Sequence, residues 1–145
     1  MQPHDVILII FLFYQSVHDV KKLEIDPLVL MLTLMTGIIY GIMGCREWDI
    51  WSGIFSLMPF SILAIMALLS SGKIGMGDAL ITLTLGLFLE SEEIMTVLIL
   101  GSLLSFIYAV VMIICHKKEC REDYPFLPFM LTGYVLSRFL TGWFA

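Results

Sequence analysis

Six apolar stretches divide the chain: Val6 to Val17, Leu28 to Gly44, Ile50 to Leu69, Ala79 to Leu89, Ile94 to Cys115 and Pro125 to Phe144, each bounded by charge, Gly or Pro. Within each stretch the apolar residues run on instead of alternating with polar ones, which predicts helices and not barrel strands. A helix needs about 20 residues to cross a hydrocarbon layer ~30 Å thick. The third, fifth and sixth stretches meet that length and the second nearly does. The first and fourth are shorter, so their helices must take in polar flanking residues and draw them to the edge of the apolar layer. No repeat, linker or second domain interrupts the series. The pattern predicts an all-α, polytopic integral membrane protein with six transmembrane helices, one membrane-embedded domain over residues 1–145.

Composition agrees. Of 145 residues 59% are hydrophobic and 14% charged, against roughly 45–50% and 25% in a soluble domain. With a mean hydropathy of +0.96, the expected solvent is the lipid bilayer, where backbone polar groups must be satisfied within helices or closed barrels. The net charge of −5 points to no partner class, nucleic acid included, because the charges sit in short clusters between the apolar stretches. Their placement predicts orientation instead. Lys21 and Lys22, Lys73, and Lys117, Lys118 and Arg121 occupy the odd loops, whereas Arg46 alone occupies an even one. The positive-inside rule then puts the odd loops in the cytoplasm and both termini outside. Trp48, Trp51 and Trp143 fall at the outer boundary on this topology, where interfacial aromatic rings belong. The segment before Val6 has no basic stretch and no small-residue cleavage site follows Val17, so it is read as the first membrane helix and not a signal peptide. Cys45, Cys115 and Cys120 form no CxxC pair, and neither a zinc site nor a disulfide framework is expected.

The acidic residues at the ends of the two short segments are the candidate chemistry. Asp19 follows the first and Asp78 precedes the fourth, and an up-down topology brings both to the cytoplasmic side at similar depth. Partial desolvation and mutual repulsion in such a pair would raise the proton affinity of one member, leaving one acid and one carboxylate near neutral pH. That division suits aspartyl proteolysis, in which the carboxylate activates water and the acid protonates the carbonyl oxygen. The plainer alternative makes Asp19 a helix end and Asp78 an N-cap sitting well on a helix dipole. Gly75-Met76-Gly77-Asp78 favours the first reading, since two glycines before the acid allow a tight turn and a close approach by another chain segment.

Three blocks then bear a resemblance, in order along the chain, to the type IV prepilin peptidases and preflagellin peptidases. They are Ser16-Val17-His18-Asp19-Val20-Lys21-Lys22 with Ile25 beyond it, Gly72-Lys73-Ile74-Gly75-Met76-Gly77-Asp78, and Tyr124-Pro125-Phe126-Leu127-Pro128-Phe129. The resemblance implies that Asp19 and Asp78 are the catalytic pair, supported by Gly75 and Gly77. It implies removal of a short basic leader from prepilin or pseudopilin precursors at the cytoplasmic face of the cell membrane. Two carboxylates and a water suffice for that reaction, so no metal and no cofactor is expected. The family's usual Ile-Pro-Asn after the first Asp is here Ile25-Asp26-Pro27, and its Lys-Leu after GxGD is here Leu80-Ile81. Paired CxxC motifs of the bifunctional members are missing, so no methyltransferase domain is expected. The competing expectation is a non-catalytic polytopic membrane component, an inactive relative or a small transporter subunit, with Asp19 and Asp78 apart. A presenilin-type protease is disfavoured by the lack of a Pro-Ala-Leu motif.

Other polar positions carry weaker signals. Asp26 before Pro27 reads as a helix cap, and His4, His18 and His116 read as isolated residues. Arg138 inside the last apolar stretch is expected to be paired, or to reach the outer face along its own stem. Gly37, Gly41, Gly44 and Gly101 are placed to allow close helix contacts.

Overall fold

The computed structural model describes residues 3–43, 50–69, 75–116 and 125–144. Within them lie six helices and no strand: α1 (Pro3–Lys22), α2 (Pro27–Ile42), α3 (Ile50–Leu69), α4 (Met76–Phe88), α5 (Ser91–His116) and α6 (Leu127–Phe144). Each predicted stretch is a helix. The first grows at both ends into its polar flanks, as its shortness required. The fourth stays short, its 13 residues spanning ~20 Å at 1.5 Å per residue. Gly44, Cys45, Arg46, Trp48, Gly72, Lys73, Ile74, Lys117, Lys118, Cys120, Arg121 and Tyr124 lie outside the described residues, as do the side chains of His116 and Trp143. Cys115 is a free, exposed thiol.

One helix, α5, is long and apolar enough to cross a membrane by itself. The other apolar helices are shorter, and α2 and α3 pack directly on the short α4. Its faces are buried by α2, α3 and α5, while α6 packs on α5 and α1 on α6. Leu8, Leu12, Ile81, Leu85, Ile94, Val97, Met130 and Tyr134 fill the centre. Backbones approach closely where side chains are small. A Cβ on Gly133 would lie 2.8 Å from the Gly101 nitrogen, and one on Gly37 would lie 2.9 Å from Leu87 Cβ, so both glycines are set by packing.

The centre is apolar, but so is much of the outer surface, and several polar residues are buried. Ile42 is 80% exposed and Leu69 78%, and large apolar side chains cover the outside of most helices. His4, Asp5, Gln15, Ser16, Asp19, Thr82 and Thr84 are buried. The buried threonines bond their own helix, Thr82 Oγ1 to the Asp78 carbonyl at 2.8 Å and Thr84 Oγ1 to that of Leu80 at 2.9 Å.

Candidate active site

Two polar centres occupy opposite ends of the bundle. At one end the buried stripe of α1 closes with Asp19, a turn after Gln15 and Ser16. Helix α1 runs on to Lys22 and stops where Leu23 adopts φ 54°, with the Leu23 N–H bonded to the Asp19 carbonyl at 2.8 Å. This left-handed residue turns the chain back sharply, a conformation that a side chain other than glycine adopts at a cost of about 1–2 kcal/mol. Asp19 therefore sits inside its helix instead of closing it. Its carboxylate faces inward, 9% exposed, and its Oδ2 accepts the N–H of Leu127 at the start of α6, at 3.1 Å. The Phe126 N–H acts on the same carboxylate.

The return loop is held by Gln15, which is fully buried. Its Nε2 donates to the Asp26 carbonyl and its Oε1 accepts the Asp26 N–H, both at 3.0 Å. Asp26 is the N-cap of α2, its Oδ1 accepting from the Leu28 and Val29 N–H groups with Pro27 following at the first helical position. Tyr14 donates its hydroxyl to Asp26 Oδ2 at 3.1 Å. Burial works against the charge of Asp26, but Tyr14 and the two backbone donors outweigh it and hold the carboxyl below the usual carboxylate range. Its three side-chain bonds all serve the turn and the start of α2, so Asp26 does the capping that its place before Pro27 suggested.

Asp78 enters from the other side of the site. Sequence spacing left open that it caps α4; instead Gly75 is the N-cap residue and Asp78 is the third residue of the helix, its N–H bonded to the Gly75 carbonyl at 3.1 Å. The N-cap glycine offers no side-chain bond. The Asp78 carboxyl is half-buried, and the charge of Asp19 acts on it. Gly77 brings the two motifs together, because the Ile25 side chain of the α1–α2 loop occupies the space that a Cβ on Gly77 would need, with Ile25 Cγ1 3.0 Å from that point. Gly75 lies so that a Cβ would touch Asp78 Oδ2 at 3.4 Å. Ser16, one turn before Asp19, has a buried hydroxyl with no hydrogen-bond partner among the described residues. Among the described residues no three His, Cys, Asp or Glu side chains are grouped to hold a metal ion.

The second centre surrounds Arg138. Its Nε lies 2.9 Å from Asp5 Oδ1, its NH1 bonds Glu93, and its NH2 lies 3.3 Å from His4 Nε2. Tyr134 donates to Asp5 Oδ1 at 2.8 Å, and His4 Nδ1 meets the Tyr40 hydroxyl at 3.0 Å. Arg138 is thus paired, as its cost in an apolar helix required. Sequence reading gave no role to Asp5, Tyr134 or Gln15. Asp5, Leu8, Leu12, Gln15 and Asp19 recur at helical spacing, and that mixed polar and apolar stripe was the available signal.

The model of the type IV leader peptidase family matches residues 6–110, which include Asp19, Gly75, Gly77 and Asp78. No curated protein and no solved structure matches the chain.

Proposed function

The chain belongs to the type IV leader peptidase family, and on that premise we propose that it is a membrane-embedded aspartyl endopeptidase that removes the short basic leader of prepilin- or pseudopilin-like precursors. A leader peptidase of the prepilin type is what membership gives. The catalytic pair Asp19 and Asp78, the substrate and the cytoplasmic site are our reading. What supports it is that Asp19 and Asp78 both lie within the matched span and that their motifs meet where Ile25, beyond Asp19, fills the space at Gly77, beside Asp78. The non-catalytic alternative expects these two residues apart and no precursor to be processed.

The chemistry follows from two carboxyl groups in different protonation states. The carboxylate takes a proton from water as its oxygen attacks the scissile carbonyl carbon, and the acid gives its proton to the carbonyl oxygen. Collapse of the tetrahedral intermediate breaks the C–N bond, and the amine leaves with a proton returned by the pair. No step calls for a metal, so cleavage should persist in EDTA or phenanthroline. Loss of activity that is restored by added metal would contradict this.

Six membrane spans are supported by the outward apolar surface and by the length of α5. The odd-loop lysines support a topology with the aspartates at the cytoplasmic side and the Arg138 centre at the outer side. Cysteines engineered into the loop 116–124 should resist an impermeant thiol reagent in intact cells; labelling there would invert the topology.

The deciding experiment is co-expression with a leader-bearing precursor and N-terminal sequencing of the product, with cleavage just after the basic leader expected. An untouched precursor would remove the peptidase reading. Gly77 offers a finer check. Gly77→Ala would press on Ile25 and part the two motifs, lowering cleavage by about 10- to 100-fold, and Ile25→Ala in the same chain should restore most of it. Failure of that rescue would mean that Gly77 serves something other than this close approach.

A further inference from the structure

In the run Pro125-Phe126-Leu127-Pro128 only Phe126 and Leu127 carry a peptide hydrogen, because proline has none. The Leu127 N–H goes to Asp19 Oδ2 at 3.1 Å in a buried bond, and the Phe126 N–H acts on the same carboxylate. The first turn of a helix leaves N–H groups without partners inside the helix. They are ordinarily met by a Ser, Thr, Asp or Asn at the N-cap, but α6 starts at Leu127 and the residue before it is a phenylalanine. The cap is supplied from α1, 108 positions away. Residues 125–128 also lie beyond the stretch that the family model matches.

We propose that Leu127, through its main-chain N–H, is a positioning residue of the peptidase site that fixes the Asp19 carboxylate in the orientation facing Asp78. The proposal rests on the reading of Asp19 and Asp78 as the catalytic pair. A short acidic side chain on a helix has several rotamers open to it, and the one it adopts here brings its Oδ2 to the start of α6. Anchoring one oxygen to the backbone of a third helix selects that rotamer. A carboxylate accepts about four hydrogen bonds, so two backbone donors leave lone pairs for the attacking water. The positive end of the α6 dipole is turned to the same group. At the far end of the same two helices, Arg138 of α6 is paired with Asp5 of α1. Helices α1 and α6 are therefore clamped at both ends, and α6 cannot slide along its axis to carry Leu127 away from Asp19. The two prolines then have a reason. They stiffen the entry to α6 and remove the peptide hydrogens that flank the two in use.

The test uses the whole chain in proteoliposomes with a leader-bearing precursor and compares three variants with the parent. Leu127→Pro removes the N–H at the first helical position, where proline is tolerated. Leu127→Ala removes the buried side chain and keeps the N–H. A backbone ester at 127, made with leucic acid in place of leucine, removes the N–H alone. The ester and Leu127→Pro should lower kcat by about 10- to 100-fold, the range for a hydrogen bond to a charged group. KM should stay within about two-fold of the parent, because the bond is made to a catalytic group and not to substrate. Leu127→Ala, which keeps the N–H, should lower kcat per folded molecule clearly less than the ester does. A merely structural cap would lower the folded fraction and leave kcat of the remainder unchanged. A folded ester variant with kcat within about two-fold of the parent overturns the positioning role, provided Asp19→Asn is inactive in that assay. If Asp19→Asn cleaves normally, it is the reading of Asp19 and Asp78 as the catalytic pair that fails.

Discussion

Asp78→Asn and Asp19→Asn are each expected to lower leader cleavage by on the order of 10³-fold or more, the scale of a lost general acid or base in a two-group mechanism, while the protein still inserts and accumulates. The fold has little stake in either titratable proton. An asparagine at 19 still offers an oxygen to the Leu127 N–H, and Asp78 leaves the capping of α4 to the Gly75 position. What is lost in each case is the ability to hold or give a proton. The double variant should be no slower than either single one, because the two groups act as a unit. Asp26→Asn is the internal control. Asparagine caps a helix about as well as aspartate, and the Tyr14 hydroxyl that now donates to Asp26 can equally accept from an amide. Most activity should survive there. Initial rates on a purified precursor, normalised to folded enzyme, decide the matter. Near-normal cleavage by Asp78→Asn would end the aspartyl mechanism proposed for this chain.

Arg138→Met should be the most destabilising single change in the bundle, by roughly 3–5 kcal/mol for removing one partner of a buried ion pair. The lower end of that range fits better, because the guanidinium is 27% exposed while the Asp5 side chain is only 5% exposed. Without Arg138, Asp5 keeps the Tyr134 hydroxyl and a neighbouring His4 but loses the cation that offsets its charge. The same change unties four helices at once, because the centre joins His4 and Asp5 of α1, Tyr40 of α2, Glu93 of α5 and Arg138 of α6. Asp5→Asn combined with Arg138→Met should recover part of the loss, since it removes the orphaned charge together with its partner. Thermal unfolding in mild detergent measures both. A single Arg138→Met variant as stable as the parent would show that the ion pair contributes nothing net, and that α1 and α6 are held by apolar packing alone.

Much of this protein is determined by the sequence itself. Apolar runs bounded by charge and turn residues specify six helices because each run is too apolar and too continuous to be anything else in lipid. The short first and fourth runs already required polar residues near their ends to sit at the edge of the apolar layer. Asp19, Asp78, Gly75 and Gly77 stand out for the same reason, as polar or flexible positions where an apolar helix has no use for them. The capping of α2 by Asp26 is equally local, since an aspartate followed by proline can be read within four residues.

Other features exist only once the helices are packed. That Asp19 is capping α6 depends on a bond between residues 108 positions apart, and no local pattern carries information over such a separation. Gly77 is legible as a flexible residue, but the side chain that needs its space belongs to Ile25, in a different motif. Arg138 announced a need for a partner without saying which. Asp5, Glu93, Tyr134 and His4 look like ordinary end residues until α1, α5 and α6 bring them together. Helical periodicity decides which residues share a face. Which face meets which is decided by packing, where close glycine contacts such as Gly101 with Gly133 set the distance and buried polar groups must find partners that the helices themselves do not provide.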